Sequence, residues 1–567
     1  MLAPHRSLRC VATLLPVLVA LSATSTVAAV AQAPDHAQHQ PAPAGDSVPL
    51  YDNLGDHHYE ISSRVPLVQA YFDQGLRLYY AFNHAEAIRA FEEAARRDPN
   101  CAICYAGKAF ALGPNINLPM DSAAAVAAYA ATQQALAKRS HASERERALI
   151  DALATRYAEV PPADRAPLDS AYARAMEALA AKYPDDDEIA TLFAESMMDL
   201  RPWQYWKENG EPQPGTDRLL ASLERVTARN PDHPGACHFY IHAVEAVQPR
   251  RAVDCAERLA KQMPGAGHLV HMPGHIYIRV GRYLDAIKAN EHATHADESY
   301  IADQRPGAGV YTLGYYPHNY DFLAFAASMI GREGQAVESA EKMQQIVPKE
   351  LAGEPGMSFM QHHMTRALQL YARFARWDDI LRAPEPDASL KHARLMWNYA
   401  RGRALAARGD VSGAQRELEK VREAMRDSSL ADMRLEFNSS ASVAKIAVDV
   451  LAGHVAAARG DFTAAERHLR EAARAEGSLV YGEPPEWTVP VRQELGAILL
   501  QAKRPADAEQ AFRQDLDRFP DNGWSLYGLA RSLEAQGKSS EAAAAMASYR
   551  KVWEGEQAPA MGSTAAR

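Results

Sequence analysis

The sequence lacks the short motifs that mark most conventional enzymes. It has no GxSxG turn for a serine nucleophile, no HExxH zinc motif, no phosphate-binding glycine loop and no dinucleotide fingerprint. It also lacks a basic surplus, since 61 lysines and arginines face 71 acidic residues, for a formal net charge of −10. A conventional hydrolase is therefore disfavoured, and the acidic balance argues against nucleic acid as a partner.

Long apolar runs and strand-like alternation are also scarce. Beyond the N-terminus no stretch approaches the roughly 20 apolar residues that a membrane helix needs. No extended run alternates apolar and polar residues as a half-buried strand does. We therefore predict an all-α protein with no membrane span.

The N-terminus has the three parts of a secretory signal. Two arginines precede an apolar run from Val11 to Leu21, and small residues end at Ala31. We predict a signal peptide over residues 1–31, cut after Ala31, and a periplasmic or secreted protein. Its removal leaves 59 basic residues against 71 acidic ones, a net charge of −12.

Cysteine is rare, with five residues in the whole chain. The mature chain keeps four: Cys101, Cys104, Cys237 and Cys255. An exported compartment permits disulfides, so Cys101 and Cys104 are candidates for a bridge or a redox pair. A two-residue gap on a continuous helix is awkward for a bridge. We therefore favour packing or an incidental thiol pair, and leave the redox state open.

What the sequence does contain is a repeat. Two distant stretches place glycine, alanine, phenylalanine and proline at identical spacings of 12, 4 and 8 residues. These are Gly75, Ala87, Phe91 and Pro99, and then Gly496, Ala508, Phe512 and Pro520. The pattern resembles the tetratricopeptide repeat, a helix-turn-helix unit, over most of residues 65–553. That resemblance implies an all-α helical solenoid, a superhelix of antiparallel helix pairs with a concave surface.

The domain organisation follows from the signal, the repeat and the composition of the ends. We predict a signal peptide (1–31), a flexible leader (32–60), N-terminal tetratricopeptide-like helices (61–230), central histidine-rich units (231–348), C-terminal units (349–553) and a disordered tail (554–567). An exposed end unit can pair with another copy, so the oligomeric state stays open.

Histidines concentrate in the central units, where nine of the 21 lie within 86 residues. In a tetratricopeptide unit the first helix lines the groove. Its inward slots lie one residue after the small glycine position, and three and six residues before it. With Gly274 as that glycine, these slots are His275, His271 and His268.

The neighbouring units place histidines and carboxylates at matching positions. His238 and His242 lie 33 residues before His271 and His275, and Glu245 follows on the same helix face. In the next unit Ala324 takes the small slot, which turns His318 and Asp321 inward. Packed helices lie about 8 to 10 Å apart, a gap that inward imidazoles can bridge.

Such clustered pairs at i, i+4 indicate a transition-metal site. Imidazole suits copper, zinc or iron, and the cluster can hold one ion with open positions or a pair of ions. We predict six metal ligands: His238, His242, His268, His271, His275 and His318. Glu245 and Asp321 are either outer partners of the imidazoles or the catalytic base of a hydrolytic site, whereas copper or iron there activates oxygen.

A non-catalytic interpretation remains open. Histidines in a groove can hydrogen-bond one another, bind the carboxylates of a peptide or protein partner, or sense pH. Adjacent His362 and His363 cannot share a helix face, so we leave them outside the metal set. The blocks CHFYIH, GHLVHMPGH and YYPHNYDF resemble exported bacterial tetratricopeptide proteins, which implies fold and export but no reaction.

Overall fold

The computed structural model describes residues 48–559. All regular structure in this range is helical, and strand-like pairing is limited to three isolated bridges. Successive helices pack against each other along the chain as paired units. The predicted all-α helical solenoid of the tetratricopeptide type is thus confirmed. The predicted signal peptide and the last eight residues of the predicted tail lie outside the described residues.

The helices fall into three groups along the chain. The N-terminal group is α1 (Pro66–Tyr80), α2 (His84–Arg97), α3 (Ala102–Ala111), α4 (Ser122–Ala137), α5 (Glu144–Leu153), α6 (Ala166–Lys182), α7 (Asp187–Asp199) and α8 (Thr216–Arg229). The central group is α9 (Pro234–Val244), α10 (Val253–Gln262), α11 (Gly267–His271), α12 (Pro273–Arg279), α13 (Tyr283–Gln304), α14 (Tyr316–Met329) and α15 (Glu333–Ile346). The C-terminal group is α16 (Ser358–His363), α17 (Arg366–Arg373), α18 (Trp377–Arg382), α19 (Lys391–Ala407), α20 (Val411–Ala424), α21 (Ser440–Ala458), α22 (Phe462–Gly477), α23 (Val491–Gln501), α24 (Pro505–Arg518), α25 (Gly523–Ala535) and α26 (Ser539–Val552).

Local capping signals set where many helices begin. Ser143 accepts a hydrogen bond from the backbone of Glu146, whose side chain returns to the Ser143 backbone, so α5 starts with a capping box. The Asp121 side chain caps α4 in the simpler way. Pro234 occupies the first turn of α9, where its missing N–H costs nothing.

The repeated glycine and phenylalanine interlock neighbouring helices. The Phe91 ring of α2 lies between Gly75 of α1 and Gly107 of α3. A methyl group added at either glycine would lie 2.7 or 2.5 Å from the ring. Gly496 and Phe512 repeat this contact in α23 and α24. The small slot of the repeat is therefore a steric requirement of close helix packing.

The C-terminal helices fold back onto the central group. Trp524 Nε1 of α25 donates to the Ser328 carbonyl of α14, at 2.8 Å. Phe519 packs against Phe325, with ring centroids 6.0 Å apart. The Arg279 guanidinium at the end of α12 reaches the Arg518 carbonyl. Because of this return, the inner face of the central units is covered, whereas the sequence suggested an open concave groove.

The segment before α1 is packed along residues 48–60. The Tyr71 hydroxyl donates to the Val48 carbonyl, and the Tyr51 backbone donates to Gln74. Leu54 and Tyr59 are buried. The flexible leader expected over residues 32–60 differs from the structure here, because its apolar side chains find partners, while residues 32–47 lie outside the described range.

The end of the chain is also packed as far as it is described. The Glu554 backbone donates to the Ile330 carbonyl, and the Glu554 carboxylate pairs with Arg332 at 2.6 Å. The first residues of the predicted disordered tail therefore hold the chain end against α14 and α15.

One helix among residues 48–559 is long and apolar enough to cross a membrane by length and composition. It is α21, with 19 residues and a mean hydropathy of 1.4, so the expectation that no later stretch approaches this size is wrong. Val443, Val450 and Leu451 on it are fully buried against neighbouring helices, as in a core helix.

The four cysteines of the predicted mature chain form two disulfides. Cys101 bonds to Cys104 with Cα atoms 5.4 Å apart, and Cys237 bonds to Cys255 with Cα atoms 5.2 Å apart. The expectation of unbonded thiols at the first pair is wrong. Cys101 precedes α3 with non-helical dihedrals, so the two cysteines do not share the continuous helix that would hold them apart.

Filling the small slot should destabilise the fold. We expect Gly107→Ala to lower the free energy of unfolding by about 2 kcal/mol, because the added methyl group would lie 2.5 Å from the buried Phe91 ring and force it to shift. The thermal unfolding midpoint measures this. Gly334→Ala is the control, since a methyl group there meets no atom within 4 Å and the midpoint should not fall. Equal midpoints for both variants would contradict the steric role of Gly107.

Candidate metal centre

All six predicted ligands lie in one chamber of the central group. His238 and His242 lie on α9, His268 and His271 on α11, His275 on α12 and His318 on α14. Pro273 separates α11 from α12, and a π-helical turn over Tyr311–Tyr315 leads into α14. These local irregularities aim successive imidazoles at one point, as π-turns often do at functional sites.

The chamber is closed by aromatic rings. The five histidines of α9, α11 and α12 are each 3 % exposed or less, and His318 is half-buried. Phe82 stacks on His268 with centroids 5.4 Å apart, and Trp203 meets the edge of His242 at 4.9 Å. Trp203 comes from the loop between α7 and α8, so a long connection supplies part of the cover.

Four imidazoles have their Nδ1 atoms beside a fixed acceptor. His238 Nδ1 lies 2.6 Å from the Tyr80 carbonyl, and His271 Nδ1 lies 2.8 Å from Asn290 Oδ1. His242 Nδ1 and His275 Nδ1 lie 3.3 and 2.7 Å from the two carboxylate oxygens of Glu245. The Asn290 amide nitrogen donates to the Ala286 carbonyl, which identifies its oxygen as the acceptor. The Tyr80 carbonyl and the Asn290 oxygen therefore hold the proton on Nδ1 of His238 and His271. The contact between His275 Nδ1 and Glu245 lacks hydrogen-bond geometry, so it does not place a proton.

The Nε2 atoms of the same imidazoles face each other in two pairs. His238 Nε2 lies 3.1 Å from His242 Nε2, and His271 Nε2 lies 2.8 Å from His275 Nε2. Where both rings of a pair carry the proton on Nδ1, the two Nε2 atoms are acceptors and cannot hydrogen-bond each other. Two lone pairs at this distance repel unless a cation lies between them. Histidines that bind metal through Nε2 characteristically donate Nδ1–H to such outer partners.

The ligand atoms form two adjacent sets of three. One set is His238, His242 and His268, and the other is His271, His275 and His318; within each, the ligand atoms lie within 4.8 Å of one another. Both ring nitrogens of His268 are buried and, within residues 48–559, have no hydrogen-bond partner. The arrangement suits two cations better than a purely hydrogen-bonded cluster, which would leave no imidazole unpaired.

Electrostatics favour the neutral form, which ligates metals, at five of these imidazoles: His238, His242, His268, His271 and His318. Burial lowers the pKa of His238, His268 and His271 well below the usual range, and neighbouring imidazoles lower it further. Burial alone would raise the pKa of Glu245, but the facing His275 and His242 outweigh it and lower that pKa to about 2. Glu245 is therefore an anion that links the two histidine sets.

Asp321, the other candidate base, does not face the imidazoles as a free carboxylate. It forms a buried ion pair with Arg366, whose guanidinium also reaches the Pro485 and Glu486 carbonyls at 3.2 Å. Asp321 therefore anchors the loop before α23 to α14. The sequence predicted that Asp321 faces inward, but it did not predict the pair with Arg366, which lies 45 residues away.

A further polar cluster lies outside the predicted set. His57 Nε2 and His233 Nε2 lie 2.5 and 3.2 Å from Glu188 Oε1, and the Tyr80 hydroxyl also donates to Glu188. His233 Nδ1 accepts the Ala236 backbone N–H, so its Nε2 carries the proton and donates to Glu188. The cluster thus joins the segment before α1, through His57, to α7, and its two histidines and glutamate also form a group that could hold a metal ion. These residues share no sequence period that predicts their contact.

Comparisons with known proteins agree on the repeat. Residues 499–552 match the tetratricopeptide repeat family. No curated protein matches the sequence. Similar solved structures include human IFIT1 with m7Gppp-AAAA (10 % identity, TM-score 0.29, covering 86 % of this chain and 90 % of that one) and yeast Tom70 (12 %, 0.25, 86 % and 92 %). Another is Naa15/Naa10 bound to HypK-THB (13 %, 0.21, 86 % and 75 %). At such TM-scores these likenesses support no inference.

The matched segment and the paired helices together define the class. The chain is an all-α helical solenoid of the tetratricopeptide type, of a kind consistent with a scaffold or binding role, and its residues 499–552 match the repeat family. Its central units hold groups of histidines with the geometry to bind metal ions.

Breaking the buried ion pair should cost stability. We expect Asp321→Asn to lower the free energy of unfolding by about 3 to 5 kcal/mol, because Arg366 would stay buried without its counter-charge. Thermal unfolding is the measurement. Asp151→Asn is the control, since its pair with Arg139 is exposed and contributes about 1 kcal/mol or less. An unchanged midpoint for the first variant would mean that Asp321 is not an anchor.

Proposed function

We propose that the protein binds two transition-metal ions in its central units, one in each three-histidine set. The observation that carries the proposal is the pair of short Nε2–Nε2 contacts between imidazoles whose Nδ1 atoms face fixed acceptors. A cation in each set removes the repulsion between the lone pairs. It also gives His268 the partner that it otherwise lacks among the described residues.

The types of ligand atom limit which metal ions the site can bind. Six neutral imidazoles, with Glu245 as their outer partner, suit copper, zinc or iron and disfavour magnesium and calcium, which prefer oxygen ligands. Copper binds nitrogen ligands most tightly among divalent ions, but geometry and metal supply decide the occupant, so copper, zinc and iron are all candidates. Three imidazoles would hold each ion, and copper or iron there would supply one-electron chemistry.

The surrounding residues favour oxygen activation over hydrolysis if the centre is catalytic. A hydrolytic site needs a carboxylate base that can reach a water molecule. Both oxygens of Glu245 face imidazole Nδ1 atoms, and Asp321 pairs with Arg366. The aromatic rings of Phe82, Trp203 and Phe322 pack against the imidazoles.

A peptide-binding scaffold is the alternative function. Histidines can bind a partner's carboxylates only where that partner reaches them. The burial of the five histidines on α9, α11 and α12 argues against an extended peptide at this place. A peptide or protein partner on another surface stays a prediction.

Export is part of the proposal. Two disulfides suit an oxidising compartment, in agreement with the secretory signal predicted from residues 1–31. Copper and oxygen chemistry outside the cytoplasm also avoids competition from reduced thiols.

Metal content tests the two-ion arrangement directly. We expect untagged protein purified without chelator to carry about two equivalents of one transition metal, because each ion has its own three ligands. Inductively coupled plasma mass spectrometry measures this. A variant with His238→Ala and His242→Ala should keep about one equivalent, as should one with His271→Ala and His275→Ala.

The matched control is His392→Ala, which removes a fully buried histidine outside the chamber and should keep both equivalents. Protein that stays empty in micromolar copper, zinc and iron would overturn the proposal. If the wild-type protein carries a single equivalent and both double variants lose it entirely, the six histidines share one ion rather than two.

The linking carboxylate should tune both sites. We expect Glu245→Gln to weaken metal binding about 10- to 100-fold, because the amide would donate to one imidazole and force a proton onto its Nε2 atom. Competition with a coloured chelator measures the affinity. Glu436→Gln is a suitable control, since that carboxylate contacts His363, which lies outside the predicted ligands. Wild-type affinity in Glu245→Gln would show that Glu245 does not orient the ligands.

A further inference from the structure

A second cavity lies in the C-terminal units, away from the histidine chamber. It measures about 110 Å³ and lies between α17, α19, α21 and α23. Its polar lining includes Arg373, Gln493 and Glu494, and part of its wall consists of small apolar residues. A water-sized group needs roughly 10 to 15 Å³ by this measure, so the cavity suits a molecule of about seven to ten non-hydrogen atoms.

Arg373 is a buried cation without an ion-pair partner at this cavity. It is 6 % exposed, and within the described chain its Nε and Nη1 atoms have no hydrogen-bond acceptor. Its Nη2 atom contacts only the Met329 sulfur, at 3.5 Å. The guanidinium packs on the Trp524 ring, 4.4 Å from the centroid, which holds it in place. Burial lowers the pKa of Arg373 to about 9, so it stays charged at neutral pH.

Acceptors without donors line the same cavity. Glu494 Oε1 pairs with Arg403 at 2.6 Å, but Glu494 Oε2 is buried and, among the residues described, has no partner. Gln493 Oε1 is likewise buried and has no partner among the described residues, although the Gln493 amide nitrogen donates to Asp515 and Asn522. The cavity therefore presents a free cation and free acceptors together. A ligand that satisfies both must carry an anionic group and a donor group close together.

Arg403, His454 and Gln501 also line the cavity, and most of the remaining lining is apolar and small. Ala406, Ala457, Ala497 and Ile498 belong to this apolar part. Such a surface suits an aliphatic group and leaves too little room for a nucleotide or a sugar phosphate.

We propose that this cavity binds a small aliphatic α-amino acid, with its carboxylate on Arg373 and its ammonium group on Glu494. The planar, pre-positioned guanidinium provides several donors for a carboxylate. The free oxygens of Glu494 and Gln493 accept from the ammonium group. Valine and leucine are small enough to fit the cavity and large enough to fill it. This site is independent of the metal centre, since it shares no residue with the two histidine sets.

Isothermal titration calorimetry of the full chain with L-valine and L-leucine tests the assignment. We expect saturable binding, with 4-methylpentanoate and isoamylamine binding at least about tenfold more weakly, because each lacks one of the two charged groups. Arg373→Met should also weaken leucine binding by about tenfold or more. Arg401→Met is the matched control: Arg401 also packs on a tryptophan, Trp397, but it does not line the cavity.

A second variant guards against loss of folding in Arg373→Met. Ala497→Leu fills the cavity and leaves both charged groups in place, so it should abolish leucine binding while the thermal unfolding midpoint stays near that of the wild type. The proposal is overturned if neither amino acid binds at millimolar concentration. It is also overturned if Ala497→Leu binds leucine like the wild type, or if 4-methylpentanoate binds as tightly as leucine.

Discussion

Four imidazoles of this protein have Nδ1 beside an oxygen atom and have their Nε2 atoms facing each other in two pairs. These oxygen atoms belong to the Tyr80 carbonyl, the Asn290 amide and the Glu245 carboxylate. They come from α1, α13 and the end of α9. The orientation of the imidazoles therefore depends on how the N-terminal and central helices pack, and every chemical property of the chamber follows from that orientation.

The return of the C-terminal helices completes this environment. It places α25 against α14 and brings the loop before α23 to Arg366, which pairs with Asp321. Together with Phe82 and Trp203, this packing buries the imidazoles and lowers their pKa. A tetratricopeptide array with an open inner face would leave the same histidines solvated and easily protonated. Closure thus turns a groove of the usual kind into an enclosed chamber.

In the C-terminal cavity helix packing again buries polar groups, but here one buried charge has no direct partner among the described residues. There the buried charges are Arg373, Arg403 and Glu494, and only the last two pair with each other. The unpaired guanidinium is stabilised by the Trp524 ring and by more distant carboxylates rather than by a direct partner. Buried charges usually have partners, so this exception identifies a ligand-binding candidate that no repeat pattern indicates.

Much of the fold could be predicted from the sequence, because its signals are local. Small residues at fixed spacing, such as Gly75 and Gly496, repeat wherever two helices must approach closely. The positions of His268, His271 and His275 followed from the same spacing, since a helix turns through a constant angle per residue. The prediction failed at Cys101, where the helix begins one residue later than assumed, and at residues 48–60, whose apolar side chains find distant partners.

The sequence by itself therefore determined the repeat, the helices and the face of each helix on which the six histidines lie. Only the tertiary structure decided that this face is closed, that Asp321 pairs with Arg366, and which nitrogen of each imidazole points inward. The physical reason is distance along the chain: the Tyr80 carbonyl that orients His238 lies 158 residues away from it. Helical periodicity arises within a few residues, whereas hydrogen-bond partners and burial depend on which distant segments meet.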